Sequence, residues 1–366
     1  IMRISAVDIW TVVVPTIPGR VHSLEIVPET GWDQIPKHVI RLRTDCELVG
    51  IGETGRGEQI QSVRDGARSL LGVDPERIPL QDIFQYNQEG KSLGGGPAYE
   101  AFEMAICDLV GKARNVPVHA LLGGAVRDLV RADYWMGQQT PEDSKHSVER
   151  ALEAGFSGIK IKCQIEDPMY ERLKAILEVA GSEFKVTVDP NERFRTAEQT
   201  IELANQLDAL GNVEVFEDPI PKSDVEGYRR IHDAINHPLA QHLASPTAIL
   251  AAIKDDLVDC FNLGGSLFGF CRNAAIAAAA GMNCWHGSGN DLGIVDTSYI
   301  HAASAAANCT MASDFVGSWT RENDLIVEPI EFRDGYVTVP QLPGLGCELD
   351  ECSLETYTQS YETVEN

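Results

Sequence analysis

The sequence predicts an α/β protein in which a (β/α)7-8 TIM-like barrel carries an N-terminal α+β capping domain that is completed by the C-terminal segment. The leading observation is a repeat, because strand-like apolar runs end at Lys162, Asp189, Glu217 and His242, at nearly even intervals of 25 to 28 residues. Each interval accommodates one strand and one helix, and polar side chains where successive strands end are typical of a barrel active site. A chain of 366 residues also has room for a second domain.

Residues 1–125 are predicted to form the capping domain. The run 3–14 is rich in β-branched residues, and the run 38–53 alternates between apolar and polar residues like a hairpin. Apolar residues in the run 99–112 recur at helical spacing and form one stripe. The segment 16–32, between the first two strand-like runs, is long for a connection inside a compact domain, so we expect a functional or mobile loop there.

Residues 126–320 are predicted to form the barrel, because strand-like and helix-like runs alternate through this part of the chain. In the C-terminal segment, residues 321–366, the run 326–339 alternates again, and we expect it to return to the capping domain and add a strand there. The barrel strands that the patterns predict are 129–136, 157–162, 185–189, 213–217, 238–242, 259–263 and 282–286, with a short eighth strand near 310–314.

The composition argues against several classes of partner. The formal net charge is −25 at pH 7, which disfavours nucleic acid and anionic membranes. The most apolar stretch, residues 273–282, is about half as long as a membrane-spanning helix, and we expect neither a membrane segment nor a signal peptide. Nine dispersed cysteines are typical of reduced thiols in a core, so the predicted location is the cytoplasm.

Lys160 and Lys162 are the most informative pair of residues. They lie two positions apart in a strand-like run, so both point to one face of the strand, which in a barrel is the interior. Two neighbouring ammonium groups depress each other's pKa by like-charge repulsion, and one of them then becomes a usable general base near neutral pH. The alternative is a pair of surface lysines on an edge strand, but the βα pattern around the pair favours the functional interpretation.

Asp189 and Glu217 end neighbouring strands of the predicted barrel. Adjacent strands lie about 4.8 Å apart, so both carboxylates can bind one divalent cation. Mg²⁺ suits such a site because it needs few carboxylates and keeps several waters. The alternative is that each residue caps the helix that follows its strand. Their positions, one and two repeats beyond the lysine pair, favour the metal site.

These motifs together resemble the enolase superfamily, specifically its mandelate racemase and muconate lactonizing branch, over nearly the whole chain. The resemblance is specific because the motifs occur jointly. The matching segments are Lys160-Ile161-Lys162 for the base motif, Asp189-Pro190-Asn191 and Glu217-Asp218-Pro219 for the first two metal-binding strands, residues 101–124 for the junction of the two domains, and residues 343–348 for the C-terminal return.

The resemblance implies Mg²⁺-dependent chemistry on a small carboxylate substrate. The metal would hold the carboxylate, Lys162 would remove the proton α to it, and Lys160 would lower the pKa of Lys162 and help to neutralise the substrate. The loop 16–32 would close over the substrate as a specificity lid, and His22 in this loop is a candidate for a substrate contact. Barrels with a capping domain often assemble through their outer helices, so we also expect a homo-oligomer.

The chain departs from the family pattern at the fifth barrel strand. The family usually has a glutamate there as the third metal ligand, whereas this sequence has His242. An imidazole binds divalent cations, although Mg²⁺ prefers oxygen. His242 is therefore either the third ligand or a residue that contacts the substrate or supports the site. Asn191 and Asp218 are the alternative sources of oxygen ligands.

His286, at the end of the seventh strand, matches the position of a catalytic histidine in some members of the family. That histidine is paired with an aspartate on the sixth strand, and two candidates are open here. Asp259 opens its apolar run, at what could be the wrong end of the barrel, and Asn262 could orient the imidazole but not stabilise an imidazolium. Asp291, in the loop after His286, is a further candidate. The alternative is that His286 is only a hydrogen-bonded core residue.

Lys162 and His286 on opposite faces of the substrate would fit the dehydration of an acid sugar, in which one group removes the α proton and the other protonates the leaving hydroxyl. We therefore expect a metal-dependent dehydratase, with racemisation, epimerisation and cycloisomerisation as alternatives within the family. The rival hypothesis is a degenerate member that binds a ligand without turning it over, because one metal acid and the acid partner of the histidine are missing.

Overall fold

The computed structural model describes residues 2–27, 32–84 and 98–365. The first part of the chain forms three antiparallel strands followed by helices, as the alternation and the helical spacing predict. Its elements are β1 (Ile4–Pro15), β2 (Gln34–Thr44), β3 (Val49–Glu53), α1 (Ile60–Leu70), α2 (Tyr99–Arg114) and α3 (Val118–Leu121).

Helix α2 is buried over most of its length because it packs directly on strand β3. Two glycines make this close approach possible. A Cβ atom on Gly50 would lie 2.0 Å from the carbonyl oxygen of Ala105, and one on Gly52 would lie 1.9 Å from that of Ala101. A larger residue at either glycine would push the helix away from the sheet. The capping domain therefore has a core of its own, built around this helix.

The central part of the chain forms the predicted barrel. Its strands are β4 (Leu129–Met136), β5 (Gly158–Lys162), β6 (Lys185–Asp189), β7 (Val213–Glu217), β8 (Leu239–Leu243), β9 (Cys260–Leu263), β10 (Asn283–His286) and β11 (Ser313–Asp314). Strands β4 to β10 pair in parallel in sequence order, and β11 pairs in parallel with Ala132 and Asp133 of β4. The Ser313 hydroxyl accepts a hydrogen bond from the backbone amide of His286, so the eighth strand lies between the first and the seventh.

All eight predicted barrel strands are confirmed. The first seven agree with the prediction within one residue at each end, and the eighth is shorter because only Ser313–Asp314 pairs. Among the helices of the described ranges, none is both long enough and apolar enough to cross a membrane. The barrel helices are α4 (Pro141–Glu153), α5 (Met169–Ala180), α6 (Ala197–Leu207), α7 (Val225–Ala234), α8 (Pro246–Lys254), α9 (Leu267–Ala279) and α10 (Gly293–Ala305).

The C-terminal segment divides between the two domains. β12 (Phe332–Arg333) and β13 (Tyr336–Thr338) form a small hairpin, and β13 pairs with β4 of the barrel. The prediction that the run 326–339 adds a strand to the capping domain is therefore wrong. The returning strand is β14 (Thr358–Glu365), which follows α11 (Glu351–Tyr357) and pairs with β1. Most side chains of β14 are exposed or half-buried, so this edge strand has little apolar signal in the sequence.

Two carboxylates of the capping domain hold it against the barrel. Glu53 accepts hydrogen bonds from the backbone amides of Leu292 (2.8 Å) and Val295 (3.1 Å) at the start of α10. Glu103 accepts one from the amide of Phe268 (3.3 Å) at the start of α9. Negative charge is favourable at a helix N-terminus because the first amides are unpaired and the helix dipole is positive there. Burial raises the pKa of Glu103 to about 8, so this residue docks as a hydrogen-bond acceptor, and domain docking depends on polar side chains as well as on apolar packing.

Candidate active site

Lys160 lies among three carboxylates inside the barrel. Its Nζ atom is 3.0 Å from Asp189 Oδ2, 2.8 Å from Glu217 Oε2 and 3.0 Å from Asp314 Oδ2. All four residues lie at or near the C-terminal ends of their strands, where a parallel barrel brings side chains together. Lys160 is only 2% exposed, so it is a fixed internal cation and not a group that a ligand approaches freely.

The charges around Lys160 contradict the predicted weakening of its basicity. Burial lowers the pKa of Lys160, but the charges of Asp314, Glu217 and Asp189 outweigh burial, and the pKa lies well above its ordinary value. Lys160 therefore stays protonated at physiological pH. The prediction that like-charge repulsion depresses this pKa is wrong, because carboxylates and not the second lysine are its dominant neighbours.

Lys162 has the orientation of Lys160 but a different exposure. Its side chain is 18% exposed and forms an ion pair with Asp189. It lies at the wall of a cavity, so a bound molecule can reach its ammonium group. The residues that line this cavity with it include His22, Trp32, Trp135, Asn191 and Arg193.

The loop between the first two strands forms one side of this cavity. The ring of Trp32 stacks on that of Trp135, at the end of β4, with the ring centroids 5.2 Å apart. His22 also lines the cavity. The described parts of the loop 16–32 therefore lie beside Lys162, while residues 28–31 of the loop are outside the described residues.

The three carboxylates of the cluster differ in their protonation. Burial would raise the pKa of Asp189, but Lys162 and Lys160 outweigh it and hold this pKa below its ordinary range. Burial and the charge of Asp189 raise the pKa of Glu217 to about 8, and burial raises that of Asp314. Three acids face two lysines, and the proton held by Glu217 near neutral pH is one that a bound cation could displace.

The second oxygen of each predicted metal-binding carboxylate faces a different partner. Asp189 Oδ1 accepts a hydrogen bond from the backbone amide of Asn191 (2.9 Å). Glu217 Oε1 accepts one from Asn262 Nδ2 (2.7 Å) and lies 3.9 Å from His242 Nδ1. The residues that the sequence predicted as metal ligands thus lie on three neighbouring strands, β6, β7 and β8.

His242 is positioned through its backbone and by two glycines. Its amide donates to Asp218 Oδ1 over 3.1 Å, while Asp218 Oδ2 lies 2.6 Å from Lys222 Nζ, so both oxygens of this carboxylate already have partners. A Cβ atom on Gly287 would lie 2.9 Å from His242 Nε2, and one on Gly264 would lie 3.4 Å from it. Burial and the lysines of the site lower the pKa of His242 to about 3, so the imidazole is neutral.

The structure does not bring His286 to the lysine cluster. Its ring lies between those of Phe270 on α9 and Tyr299 on α10, with centroids 4.1 Å away in each case, and Nδ1 is 2.6 Å from the carbonyl oxygen of Gly287. The preceding residue, Trp285, points into the barrel, where its indole N–H donates to a carboxylate of the cluster. Strand alternation therefore turns His286 outward. Burial lowers its pKa to about 4, so the ring is neutral.

Neither predicted partner of His286 is hydrogen-bonded to it within the described residues. Asp259 precedes β9, at the opposite end of the barrel, and its Oδ1 lies 3.2 Å from His232 Nε2. Asn262 donates to the carboxylate at the end of the fourth barrel strand. The expected pairing of His286 with an acid or amide on the sixth strand is thus contradicted.

Asp291, a further candidate from the sequence, belongs to the contact between the domains. Its Oδ1 lies 2.6 Å from Lys37 Nζ, and its Oδ2 accepts a hydrogen bond from the Tyr299 hydroxyl (2.9 Å). Lys37 is buried and lies 2.9 Å from Glu53. The carboxylate therefore joins the loop after β10 to the capping domain.

Asp314 is the residue of this cluster that the sequence analysis missed. It ends the short eighth strand as Asp189 ends the third, and it contacts both Lys160 (3.0 Å) and the indole N–H of Trp285 (2.8 Å). The signal was present, because a strand was predicted near 310–314. The apolar run of this strand is short, and the sequence analysis assigned no role to Asp314, the polar residue that ends it.

The site contains atoms of the types that bind divalent cations, namely carboxylate oxygens and an imidazole nitrogen, and its acidic groups suit a positive ion. Carboxylates of Asp189 and Glu217 and the neutral imidazole of His242 lie on adjacent strands, and a surplus of acidic groups is what a bound cation would neutralise. Among the described residues, no three His, Cys, Asp or Glu side chains are already gathered as a metal site. In the structure, the two lysines hold these carboxylates in place.

Two sequence-family models match the chain. Residues 26–123 match the N-terminal domain of the mandelate racemase and muconate lactonizing enzyme family. Residues 143–353 match the enolase C-terminal domain-like family. The first match covers β2, β3 and helices α1 to α3 of the capping domain, and the second covers most of the barrel.

Known proteins similar to the chain catalyse different reactions. It is 25% identical to L-Ala-D/L-Glu epimerase of Bacillus subtilis (strain 168) over 331 residues, which are 84% of this chain and 88% of that protein. It is 27% identical to D-gluconate dehydratase of Thermoproteus tenax over 324 residues, which are 81% of this chain and 64% of that protein. The crystal structure of N-succinyl Arg/Lys racemase from Bacillus cereus ATCC 14579 matches 99% of this chain and 100% of that one with a TM-score of 0.86, at 20% identity. Since both domains match in sequence and the fold agrees, the chain belongs to the enolase superfamily, in its mandelate racemase and muconate lactonizing branch.

Proposed function

We propose that the protein is a metal-dependent dehydratase that removes the proton α to the carboxylate of a small hydroxylated acid, such as an acid sugar. The observation that carries the proposal is the position of Lys162, which faces a cavity and is fixed by Asp189, while Lys160 is buried next to it as a permanent cation. Abstraction of a proton beside a carboxylate requires a base that reaches the ligand and positive charge that stabilises the product.

Asp189, Glu217 and His242 are the residues that would hold a divalent cation, which in this superfamily is generally Mg²⁺. When bound, such an ion supplies positive charge beside the substrate carboxylate and stabilises the negative charge that develops there. Lys160 supplies a second positive charge from the protein itself, because its pKa is held far above neutrality.

The proton transfers are proposed to occur on one face of the substrate. Lys162 acts as the base and takes the α proton, so that a C–H bond breaks and an N–H bond forms. The resulting ammonium group returns this proton to the β-hydroxyl as the C–O bond breaks, which releases water and an enol that tautomerises to a 2-oxo acid. No second acid is required, in agreement with the outward position of His286. Racemisation, in contrast, requires a proton donor on the opposite face.

The cavity beside Lys162 supports a hydroxylated substrate, because His22, Asn191 and Arg193 line it and can form hydrogen bonds. One similar protein is, by its name, a dehydratase of D-gluconate. Cycloisomerisation is the second candidate, since it also needs only one base and the lysines are on one side of the site.

The test is solvent deuterium incorporation into a library of acid sugars and other α-hydroxy and α-amino carboxylates, measured with Mg²⁺ by mass spectrometry. Exchange together with the loss of water from one compound would support the dehydratase. Exchange without loss of water would instead indicate a racemase, epimerase or cycloisomerase. The Lys162→Ala variant is the control, and exchange that is equal in wild type and variant would rule out Lys162 as the base.

A further inference from the structure

We infer that His242 is a metal ligand and that it shifts the preference of the site from Mg²⁺ toward divalent ions that bind imidazole well, namely Fe²⁺, Co²⁺, Ni²⁺ and Zn²⁺. The inference rests on the proposed function in one respect, since it assumes that a divalent cation binds beside Lys162. It goes further by naming the class of ion, which follows from a residue of this chain and not from the usual three-carboxylate site of the family.

The three donors come from adjacent strands. Asp189 ends β6, Glu217 ends β7, and His242 lies one residue before the end of β8. These strands are neighbours in the parallel sheet, and side chains at such strand ends face a common space at the mouth of the barrel. Among the described residues these three side chains are not yet gathered around one point, so the inference requires them to turn toward the ion when it binds.

The distance between Glu217 Oε1 and His242 Nδ1 is 3.9 Å. This is too long for a hydrogen bond. It suits two donors of one metal ion, because metal–ligand bonds of about 2.1 Å place two donors roughly 3 to 4 Å apart. The two groups are thus spaced for an ion between them and not for direct contact.

Both donors are supported by groups behind them. Asn262 donates to Glu217 Oε1 over 2.7 Å, and the Asp218 carboxylate accepts a hydrogen bond from the His242 amide (3.1 Å). At Gly287 a Cβ atom would lie only 2.9 Å from His242 Nε2, so this glycine leaves the space that the imidazole occupies. Contacts of this kind orient metal ligands and are a regular part of metal sites.

The replacement of a carboxylate by a neutral imidazole affects Mg²⁺ more than the later transition metals. Mg²⁺ binds oxygen almost exclusively and depends on the negative charge of its ligands, whereas Fe²⁺, Ni²⁺ and Zn²⁺ bind imidazole nitrogen well. Here the two remaining carboxylates also contact lysines, which reduces the charge that they offer. A mixed oxygen and nitrogen site with this charge should therefore lose affinity chiefly for Mg²⁺.

Nitrogen ligation can be measured directly by pulsed electron paramagnetic resonance on the full-length protein loaded with Mn²⁺. We expect a ¹⁴N coupling to Mn²⁺ in the wild type and its loss in His242→Asp, which keeps a ligand of the usual family type. The matched control is His146→Gln, because His146 is an exposed histidine between Glu142 and Glu149, where a metal could bind adventitiously. The coupling should survive in this control.

The ion preference can be measured by isothermal titration calorimetry with Mg²⁺ and with Ni²⁺. Most sites favour Ni²⁺ to some degree, so the informative quantity is the ratio of the two Kd values in the wild type compared with the same ratio in the variant. His242→Asp should bind Mg²⁺ more tightly and Ni²⁺ less tightly, and the preference for Ni²⁺ should fall by about tenfold or more.

Mn²⁺ that binds without a nitrogen coupling, or an ion preference that His242→Asp leaves unchanged, would overturn the inference and leave His242 as a substrate contact. Deuterium exchange with Mg²⁺ would be unaffected by that result, so the proposed function would stand. Wild-type protein that binds none of these ions would overturn the inference together with the metal-dependent part of the proposed function.

Discussion

The two halves of the barrel mouth differ in the charge of their polar side chains. The half built from β5, β6 and β7 presents lysines and carboxylates that pair with one another, whereas the half built from β8, β9 and β10 presents neutral side chains. The residues of the charged half are Lys160, Lys162, Asp189 and Glu217, and those of the neutral half are His242 and Asn262. His286 ends β10 but lies on the outer face of that strand.

Position at a strand end does not by itself make a residue a proton carrier. Lys160 stays charged because three carboxylates surround it. Burial together with the nearby lysines keeps His242 neutral, and burial keeps His286 neutral. Fixed charge suits proton abstraction and the binding of a carboxylate, and neutral lone pairs suit the binding of an ion.

Removal of the accessible lysine should have the largest effect. Lys162→Ala should lower α-proton exchange by about 10²- to 10⁴-fold, the usual contribution of a general base. Stability should change little, because this side chain is partly exposed at a cavity and not packed in the core. Deuterium incorporation, measured beside circular dichroism, checks both statements. If Lys162→Ala exchanged deuterium within a few-fold of the wild-type rate, the base that removes the α proton would have to lie in the neutral half.

Glu217→Gln should weaken Mg²⁺ binding by about 10- to 100-fold, since it removes one charge at the border between the two halves but preserves the shape of the side chain. Isothermal titration calorimetry measures this change. Asp218→Asn is a suitable control, because the Asp218 carboxylate contacts Lys222 and the backbone of His242. Equal losses in both variants would show that the effect comes from distortion of the strand ends and not from a lost ligand.

The stability of the metal-free protein should depend on Glu217 in a defined pH window. The pKa of this residue is raised from an ordinary value of 4.5 to about 8, so the folded protein binds a proton that the unfolded chain releases between these values. The free energy of unfolding should therefore fall as the pH rises from about 4.5 to about 8. Urea titrations at several pH values should show a smaller decline in Glu217→Gln, and an identical decline would assign it to other groups.

Asp314→Asn should destabilise the protein by about 2 kcal/mol, because it removes one of three carboxylates around a buried ammonium group. The amide oxygen can still accept the hydrogen bond from Trp285, but the NH2 group then faces Lys160 Nζ, so the loss reports on the charge together with the hydrogen bond to Lys160. Asp259→Asn is the matched control at the other end of the barrel, where the side chain is 45% exposed and about 0–1 kcal/mol is expected. Chemical denaturation compares the two, and equal stabilities would mean that Asp314 is dispensable to the charged half.

The smallest effect on chemistry is expected at His286. His286→Asn should leave deuterium exchange within about threefold of wild type, while stability should fall by about 1–3 kcal/mol, because the variant loses packing between Phe270 and Tyr299. Exchange assays and thermal unfolding test this. A loss of exchange as large as that of Lys162→Ala would make His286 part of the reaction.

Regular features of the chain allowed the barrel and the charged half to be predicted from the sequence. Strand ends recur at even intervals, so Lys160, Lys162, Asp189 and Glu217 were expected on one edge, and the structure brings them within ion-pair distance. A repeat of strand and helix determines which residues end the strands, and parallel pairing then brings those ends together.

The neutral half was harder to predict because it depends on the face of a strand and not on its position. His286 ends its strand as expected, but the adjacent Trp285 takes the interior position, and alternation leaves the histidine outside. The large aromatic residue next to His286 in the sequence is the signal that could have shown which of the two residues points into the barrel. Asp314 was missed for a different reason, since its strand has only two paired residues.

The capping carboxylates have a consequence for the exchange of domains between relatives. Glu53 and Glu103 belong to one domain, yet they complete the first turns of α10 and α9 in the other. A barrel produced alone would expose those amides to water and would separate Asp291 from Lys37. A chimera should therefore fold well only if both acids are transferred with the capping domain onto a barrel whose α9 and α10 begin with amides in matching positions. The two domains can be recognised separately in the sequence, but their polar contacts make each depend on the other.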